Sequence, residues 1–92
     1  MEKGNEREKT LVNFKKAKSL LEKIIKMTEG DEYCIDIMQQ NLAVIGLLRS
    51  AHQMLMENHL NTCFVQALQS KNEQVKRGMV DEILKVTNLF NK

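Results

Sequence analysis

One long stretch of this chain lacks the residues that normally end a helix. Between Glu32 and Ser70 there is no proline, and Gly46 is the only glycine. Apolar residues recur through the stretch at helical spacing, which predicts one helix over about 32–70. A helix of roughly 38 residues is ~57 Å long, so it needs partners along its length. An antiparallel four-helix-bundle dimer, or a larger assembly, supplies such partners.

Two further helices are predicted on either side of this stretch. The first covers about 6–29, with Thr10 as a possible N-cap if it starts late. We expect Gly30 to end it as a C′ glycine and Asp31 to cap the next helix. A third helix is predicted over about 74–91, after a loop. Two apolar spacings indicate an amphipathic first helix: 11-14-17-21-24 (Leu11, Phe14, Ala17, Leu21 and Ile24) and 20-24-27 (Leu20, Ile24 and Met27).

These patterns predict an all-α fold in a single domain over 1–92, with three helices per chain. The charges are nearly balanced, with 14 basic and 12 acidic residues, which does not by itself indicate a nucleic-acid-binding protein. The longest apolar run, 42–48, is far shorter than the ~18 residues of a membrane span. The first residues lack the apolar core of a signal peptide. We therefore expect a cytoplasmic protein with reduced cysteines and no membrane contact.

A possible metal site involves the two cysteines and one histidine. His59 and Cys63 are four residues apart, which places both side chains on one helix face. Cys34 lies in the first turn of the same helix, where the dipole favours a thiolate, but ~37 Å from His59. It can meet the pair only from a second, antiparallel chain, with the two-fold axis near residues 47–48, next to Gly46. Two thiolates and an imidazole suit Cu(I), or Zn(II) with a fourth ligand.

Simpler interpretations of the same residues remain open. A His-x-x-x-Cys pair is more often a surface histidine beside a small thiol, and Gly46 can be incidental. Methionines at helical spacing usually fill a core, and His52 is interpreted as a solvated or hydrogen-bonded side chain. The sequence contains no constellation typical of an enzyme. Candidates for a fourth metal ligand are Tyr33, Met56, Glu57 and Glu82.

The basic residues suggest a second possible surface. Six lysines and one acid lie between Lys9 and Lys26, a composition that usually marks a solvated helix face. A symmetric oligomer would repeat this patch, and contacts to DNA phosphates need only cations. Arg49 is the only cation between Glu32 and Ser70, and it lies near the proposed two-fold axis.

Three segments, 31–40, 46–51 and 57–63, carry a resemblance to a known family. They contain Tyr-Cys-Ile-Asp at 33–36 and His-Leu-x-x-Cys at 59–63. The sequence resembles the CsoR/RcnR family of metal-sensing transcriptional repressors over roughly 11–90. The copper-sensing branch carries a Cys–His–Cys ligand set, which corresponds here to Cys34, His59 and Cys63. The resemblance implies one Cu(I) per chain at an intersubunit site.

The resemblance also implies an architecture and a mechanism. Members form antiparallel four-helix dimers that pair into tetramers, bind operator DNA when metal-free, and release copper-efflux genes when Cu(I) binds. A tyrosine and a glutamate link metal to DNA affinity in the copper branch, and they correspond here to Tyr33 and Glu82. The loop before Glu82 is about three residues longer than usual. The residues expected to contact DNA are Lys15, Lys16, Lys18 and Arg49.

One departure keeps two other functions open. The family's first helix carries Arg-Leu-x-Arg-x-x-Gly-Gln, whereas here Asn13 replaces the first arginine and Ser19-Leu20 replaces Gly-Gln. A copper-binding helical oligomer without DNA binding is therefore one alternative. A cysteine-based sensor of persulfides or other electrophiles is another, and it has no need of His59.

Overall fold

The structure is a computed structural model, and it describes the backbone of residues 2–90 and the side chains from residue 7 onward. Every regular element in this range is helical and no strand occurs, which confirms the all-α prediction. The long helix predicted over 32–70 is a helical run from 34 to 69 that contains a π segment. No helix in the described range is long and apolar enough to cross a membrane. The elements are α1 (Glu2–Glu29), α2 (Cys34–His59), the π segment (Leu60–Phe64), α3 (Val65–Gln69) and α4 (Glu73–Phe90).

The turn after α1 differs from the prediction by one residue. Asp31, not Gly30, adopts the left-handed conformation, with φ of 55°. The Glu32 N–H donates to the Met27 carbonyl at 3.0 Å, and the Asp31 N–H donates to Thr28 at 3.2 Å. These two bonds are the Schellman pattern, in which Asp31 is the C′ residue and Gly30 the C-cap.

The prediction that Asp31 caps α2 is therefore wrong. An N-cap residue adopts an extended backbone, and Asp31 instead closes α1. The first bonds of α2 are accepted by the Tyr33 carbonyl, from the N–H groups of Asp36 at 3.1 Å and Ile37 at 3.3 Å. Tyr33 thus occupies the N-cap position and Cys34 the first helical position. Asp36 places a carboxylate in the first turn, where its negative charge interacts favourably with the positive end of the helix dipole.

The chain divides into two compact units, one up to Glu57 and one from Asn58. In the first unit, α1 and α2 form an antiparallel hairpin, and the Asn13 side-chain amide donates to the Leu47 carbonyl at 3.4 Å. From Thr10 to Met27 and from Ile37 to Leu47, continuing to Ala51, buried and half-buried positions follow spacings of three and four, as in coiled coils. We call these positions the inner stripe: Thr10, Asn13, Ala17, Leu20, Ile24 and Met27 on α1, and Ile37, Gln40, Val44, Leu47 and Ala51 on α2.

The inner stripe of α1 contains only part of the apolar positions that the sequence predicted, namely Ala17, Leu20, Ile24 and Met27. Leu11, Phe14 and Leu21 are 50%, 40% and 43% exposed, and Thr10 is buried inside α1 rather than at its start. Because both helices carry more apolar residues than one contact covers, each has a second apolar face turned away from the hairpin. We call it the outer stripe: Leu11, Phe14, Leu21 and Ile25 on α1, and Ile35, Met38, Leu42 and Ile45 on α2.

The second unit contains the π segment, α3 and α4. α3 packs against both of its neighbours in this unit, with Ala67 buried. The predicted loop at 70–72 is present, and Asn72 caps α4: its Oδ1 accepts the Gln74 N–H at 2.9 Å. This cap fixes where α4 begins and therefore which of its residues can contact α3 and the end of α2.

Candidate metal centre

Cys34 is exposed and opens α2. It occupies the first helical position, where backbone N–H groups lack intrahelical partners. Its neighbour Tyr33 is 69% exposed, so neither side chain is committed to the core of the first unit. The predicted place of Cys34 in the first turn of the long helix is thereby confirmed.

His59 and Cys63 lie at the start of the second unit. His59 is the last residue of α2 and is half-buried, whereas Cys63 lies inside the π segment and is exposed. The sequence predicts this pair on an ordinary α-helix, but the structure places Cys63 on a wider turn. Single π turns within α-helices occur frequently at functional sites.

The π segment is accompanied by a side-chain bond to the backbone. The Thr62 hydroxyl donates to the Asn58 carbonyl at 2.7 Å, and Asn58 is 7% exposed. Such bonds from threonine to the carbonyl four residues back compete with the backbone ladder and often bend helices. The Thr62 Oγ1 also lies 3.7 Å from the Cys63 sulfur. The Thr62 hydroxyl therefore contacts both the Asn58 carbonyl, just before the π segment, and the candidate ligand Cys63.

The imidazole of His59 has a partner that the sequence analysis did not identify. Its Nε2 lies 3.1 Å from the thioether sulfur of Met79, on α4. Met79 belongs to the apolar face of the third predicted helix and was interpreted as core filling. The only sequence signal for a second role is its soft sulfur atom, which is shared by all six methionines.

The other predicted site residues are distributed over both units. Among the side chains that the structure describes, those of residues 7–90, no group of three or more His, Cys, Asp or Glu is close enough to hold a metal ion. Glu82 is exposed on α4, one turn beyond Met79. His52 is half-buried on α2 and engaged in a polar or ring contact.

The predicted DNA-binding residues are all exposed on the first unit. Lys15 and Lys16 line a cleft of about 570 Å³ along the hairpin, together with Lys23. The rest of the lining is mainly apolar: Val12, Ser19, Leu20 and Leu47. Lys18 and Arg49 are exposed but do not line this cleft, and Arg49 has an interaction partner of its own.

Comparison with known proteins gives consistent matches. A sequence model for a family described as metal-sensitive transcriptional repressor matches residues 6–89. The copper-sensing transcriptional repressor CsoR of Mycobacterium ulcerans (strain Agy99) is 38% identical over 74 residues, 80% of this chain and 61% of the relative. CsoR of Mycobacterium tuberculosis (strain ATCC 25618 / H37Rv) is 40% identical over 58 residues, 63% and 49% respectively.

A more distant relative matches over a longer range. The copper-sensing repressor CsoR of Bacillus subtilis (strain 168) is 27% identical over 89 residues, 97% of this chain and 85% of the relative. The chain spans less than two thirds of the length of the two mycobacterial relatives. No solved structure matches the chain at a significant level.

Proposed function

This chain belongs to the metal-sensitive transcriptional repressor family, and we propose that it is a Cu(I)-responsive repressor that leaves its operator DNA when copper binds. Its regulated genes would then serve copper efflux, as the resemblance to the copper-sensing branch implies. The observation that carries the proposal is the pair formed by an exposed thiol, Cys63, and a half-buried imidazole, His59, one turn away. The named copper sensors among its relatives support the choice of metal.

The donor atoms of the candidate site fit Cu(I). Cys34 and Cys63 supply two exposed sulfurs, and His59 supplies one imidazole nitrogen. Two thiolates and an imidazole form a soft set with a low coordination number, which Cu(I) prefers over harder divalent ions. Cys34 of one chain and His59 and Cys63 of a second chain would hold the Cu(I), which would supply a link between the two chains. We propose one such site per chain.

A two-chain site agrees with the ends of α2 and with the outer stripe. Cys34 is the first residue of α2 and His59 the last, so the two lie at opposite ends of a 26-residue helix. Two antiparallel copies of α2 would bring the first residue of each near the end of the other. The exposed outer stripe would supply the apolar contact, since each helix of a four-helix bundle packs against two neighbours. We propose this dimer, paired into a tetramer, as the repressor.

The lysines of α1 are the proposed DNA interface, together with Arg49. Lys15, Lys16 and Lys18 provide positive charge but lack the bidentate fork of arginine. Contact with phosphates is therefore expected to dominate, with affinity falling steeply as salt rises. Each dimer would present the cleft that Lys15 and Lys16 line twice, since both chains carry it.

Metal binding would affect DNA binding through the contacts around the ligands. Tyr33 adjoins Cys34, and Glu82 lies on α4, one turn beyond the contact with His59. We propose that both side chains are drawn into a network when the ligands close around copper. The network would favour a shape of the assembly that binds DNA less well, which is a difference in free energy between two states of the protein.

The first test is an anaerobic Cu(I) titration against a competing chelator, with wild type, Cys34→Ala and His59→Ala side by side. We expect one tightly held copper per chain, lost in both variants. Weak binding by the wild type would reject the copper proposal. Retention of tight binding in Cys34→Ala would reject the intersubunit site. If His59→Ala keeps full thiol reactivity while the wild type binds copper weakly, the persulfide or electrophile sensor replaces the proposal.

The second test measures binding to DNA from the protein's own promoter region. We expect the affinity of the metal-free protein to fall steeply between 50 and 200 mM salt, as it does for contacts with several phosphates. Lys15→Gln combined with Lys16→Gln should weaken binding, whereas Lys71→Gln, an exposed lysine in the 70–72 loop, should not. No binding at low salt by the wild type would leave a copper-binding oligomer without DNA binding.

A further inference from the structure

The contact between His59 and Met79 joins the candidate metal ligand to the last helix. The two residues are 20 positions apart in the sequence, and the atoms in contact are Nε2 and Sδ, at 3.1 Å. Both side chains are half-buried, so water competes only partly for the imidazole nitrogen. The contact lies wholly within the second unit.

The chemistry of the two atoms determines where the proton lies. A thioether sulfur has no hydrogen to donate and acts only as a weak acceptor. A neutral imidazole has one N–H nitrogen and one nitrogen with a lone pair. The contact therefore requires the proton on Nε2 of His59, which leaves the lone pair on Nδ1.

We propose that Met79 is a positioning residue for metal binding: its sulfur holds the Nε2–H of His59, so that Nδ1 is the nitrogen offered to copper. The inference rests on the proposed function and adds a residue to it. Histidines that bind metals almost always donate their second N–H to a neighbouring acceptor, which fixes the tautomer and the ring orientation. Here that acceptor is a neutral sulfur rather than a carboxylate.

Met79 and Glu82 lie on the same helix, but only Met79 is in contact with His59. The resemblance assigns the contact from the last helix to Glu82, which is exposed. Met79 occupies the position in contact with the ring, three residues earlier on α4. Glu82 would then enter the network only after a rearrangement, whereas Met79 already contacts the ring.

If Met79 only filled space, a side chain of similar volume could replace it without changing His59. Met79, Ile83 and Phe90 are the half-buried apolar residues of α4. Leucine has about the same volume as methionine, and such exchanges usually cost less than about 1.5 kcal/mol. Leucine cannot accept a hydrogen bond, however. Met79→Leu therefore removes the acceptor while it keeps most of the packing.

The experiment is long-range ¹H–¹⁵N NMR of the copper-free 92-residue chain at a pH of about 8.5, roughly two units above the pKa of a model imidazole. In the wild type we expect His59 to carry its proton on Nε2. In Met79→Leu we expect a mixture of tautomers, while the signals of His52 stay unchanged as an internal reference. Met54→Leu makes the same exchange at another half-buried methionine and should leave His59 as in the wild type.

The same variants are then titrated with Cu(I) against a competing chelator. We expect Met79→Leu to bind copper about tenfold more weakly, the lower end of the effect of such supporting contacts. A proton on Nδ1 of His59 in the wild type would overturn the inference. So would an unchanged tautomer or an unchanged copper affinity in Met79→Leu, or a tautomer that responds to Glu82→Gln instead.

Failure of the inference can be told apart from failure of the proposed function. If the wild type binds copper tightly and Met79→Leu binds it equally well, only the role of Met79 is rejected. If the wild type does not bind copper tightly, the repressor proposal is rejected and the metal-positioning role goes with it, whatever the tautomer of His59.

Discussion

Asp31 holds a backbone conformation that most side chains disfavour. Its φ of 55° closes the Schellman turn between α1 and α2. The left-handed region costs an L-residue roughly 1–2 kcal/mol, and somewhat less for aspartate, whereas glycine adopts it freely. Asp31 lies shortly before the exposed residues Tyr33 and Cys34. The turn therefore sets where α2 begins, and Cys34, a candidate ligand, is its first residue.

Replacing Asp31 by glycine should therefore stabilise the protein. We expect Asp31→Gly to raise the free energy of unfolding by about 0.5–1 kcal/mol, because the strain is relieved and part of the gain is lost to unfolded-chain entropy. Chemical denaturation at one fixed protomer concentration measures it, since association also contributes. Gly30→Ala is the control: Gly30 has no positive φ, and an added Cβ would lie 3.3 Å from the Lys26 carbonyl oxygen. Equal or lower stability of Asp31→Gly would contradict the argument.

At the scale of elements, the sequence predicted helix content better than helix faces. The lack of proline and glycine over 32–70 predicted the helical run, because few residues there can end a helix. The inner stripe of α1 includes two polar residues, Thr10 and Asn13. Asn13 can lie there because its side-chain amide donates a hydrogen bond to the Leu47 carbonyl. An amphipathic count alone favours Leu11 and Phe14, which belong to the outer stripe.

The π segment was not predictable from its own residues. Leu60–Phe64 contains neither glycine nor proline, and its composition fits an α-helix equally well. What accompanies it is a specific bond, from the Thr62 hydroxyl to the Asn58 carbonyl. Such a bond depends on side-chain geometry that spacing rules do not capture.

Removing the Thr62 hydroxyl should change the metal site. We expect Thr62→Val to favour an ordinary α-helical turn, which would alter the relation of Cys63 to His59 and weaken Cu(I) binding about tenfold. Thr28→Val is the matched control, because the Thr28 hydroxyl makes the same type of bond, to Ile24 at 2.8 Å, in α1. Competition titrations of both variants measure the effect. Equal copper affinity in Thr62→Val and Thr28→Val would show that the hydroxyl has no part in the site.

At the scale of the whole molecule, the chain leaves many large apolar side chains uncovered. The buried apolar residues are mostly small, and none of the large side chains is fully buried among the described residues. Cys34, His59 and Cys63 can be proposed as metal ligands from the sequence because thiols and imidazoles are rare here and their spacing is simple. Met79 was not, because its contact with His59 depends on the loop at 70–72 and on the start of α4.

Gly46 offers a test of how two chains would meet. An added Cβ at Gly46 would meet nothing within 4 Å in this chain, and the same holds for Gly78 on α4. If α2 packs against its copy near residue 46, a large side chain there would obstruct the approach. We expect Gly46→Leu to weaken dimerisation at least tenfold in sedimentation experiments, and Gly78→Leu to do so much less. If Gly46→Leu dimerises as strongly as the wild type, the two-fold axis does not lie near residue 46.

The coupling between copper and DNA belongs to the assembly as a whole. If copper lowers DNA affinity by a given factor, linkage requires DNA to lower copper affinity by the same factor, roughly 5–150-fold in typical allosteric proteins. We expect Tyr33→Phe, which removes only a hydroxyl, and Glu82→Ala to reduce this factor. Copper titrations with and without operator DNA, and DNA titrations with and without copper, measure it from both directions.

Unequal factors in the wild type would mean that the two ligands do not act on one equilibrium. An undiminished factor in both variants would leave the His59–Met79 contact as the remaining link between the ligands and α4.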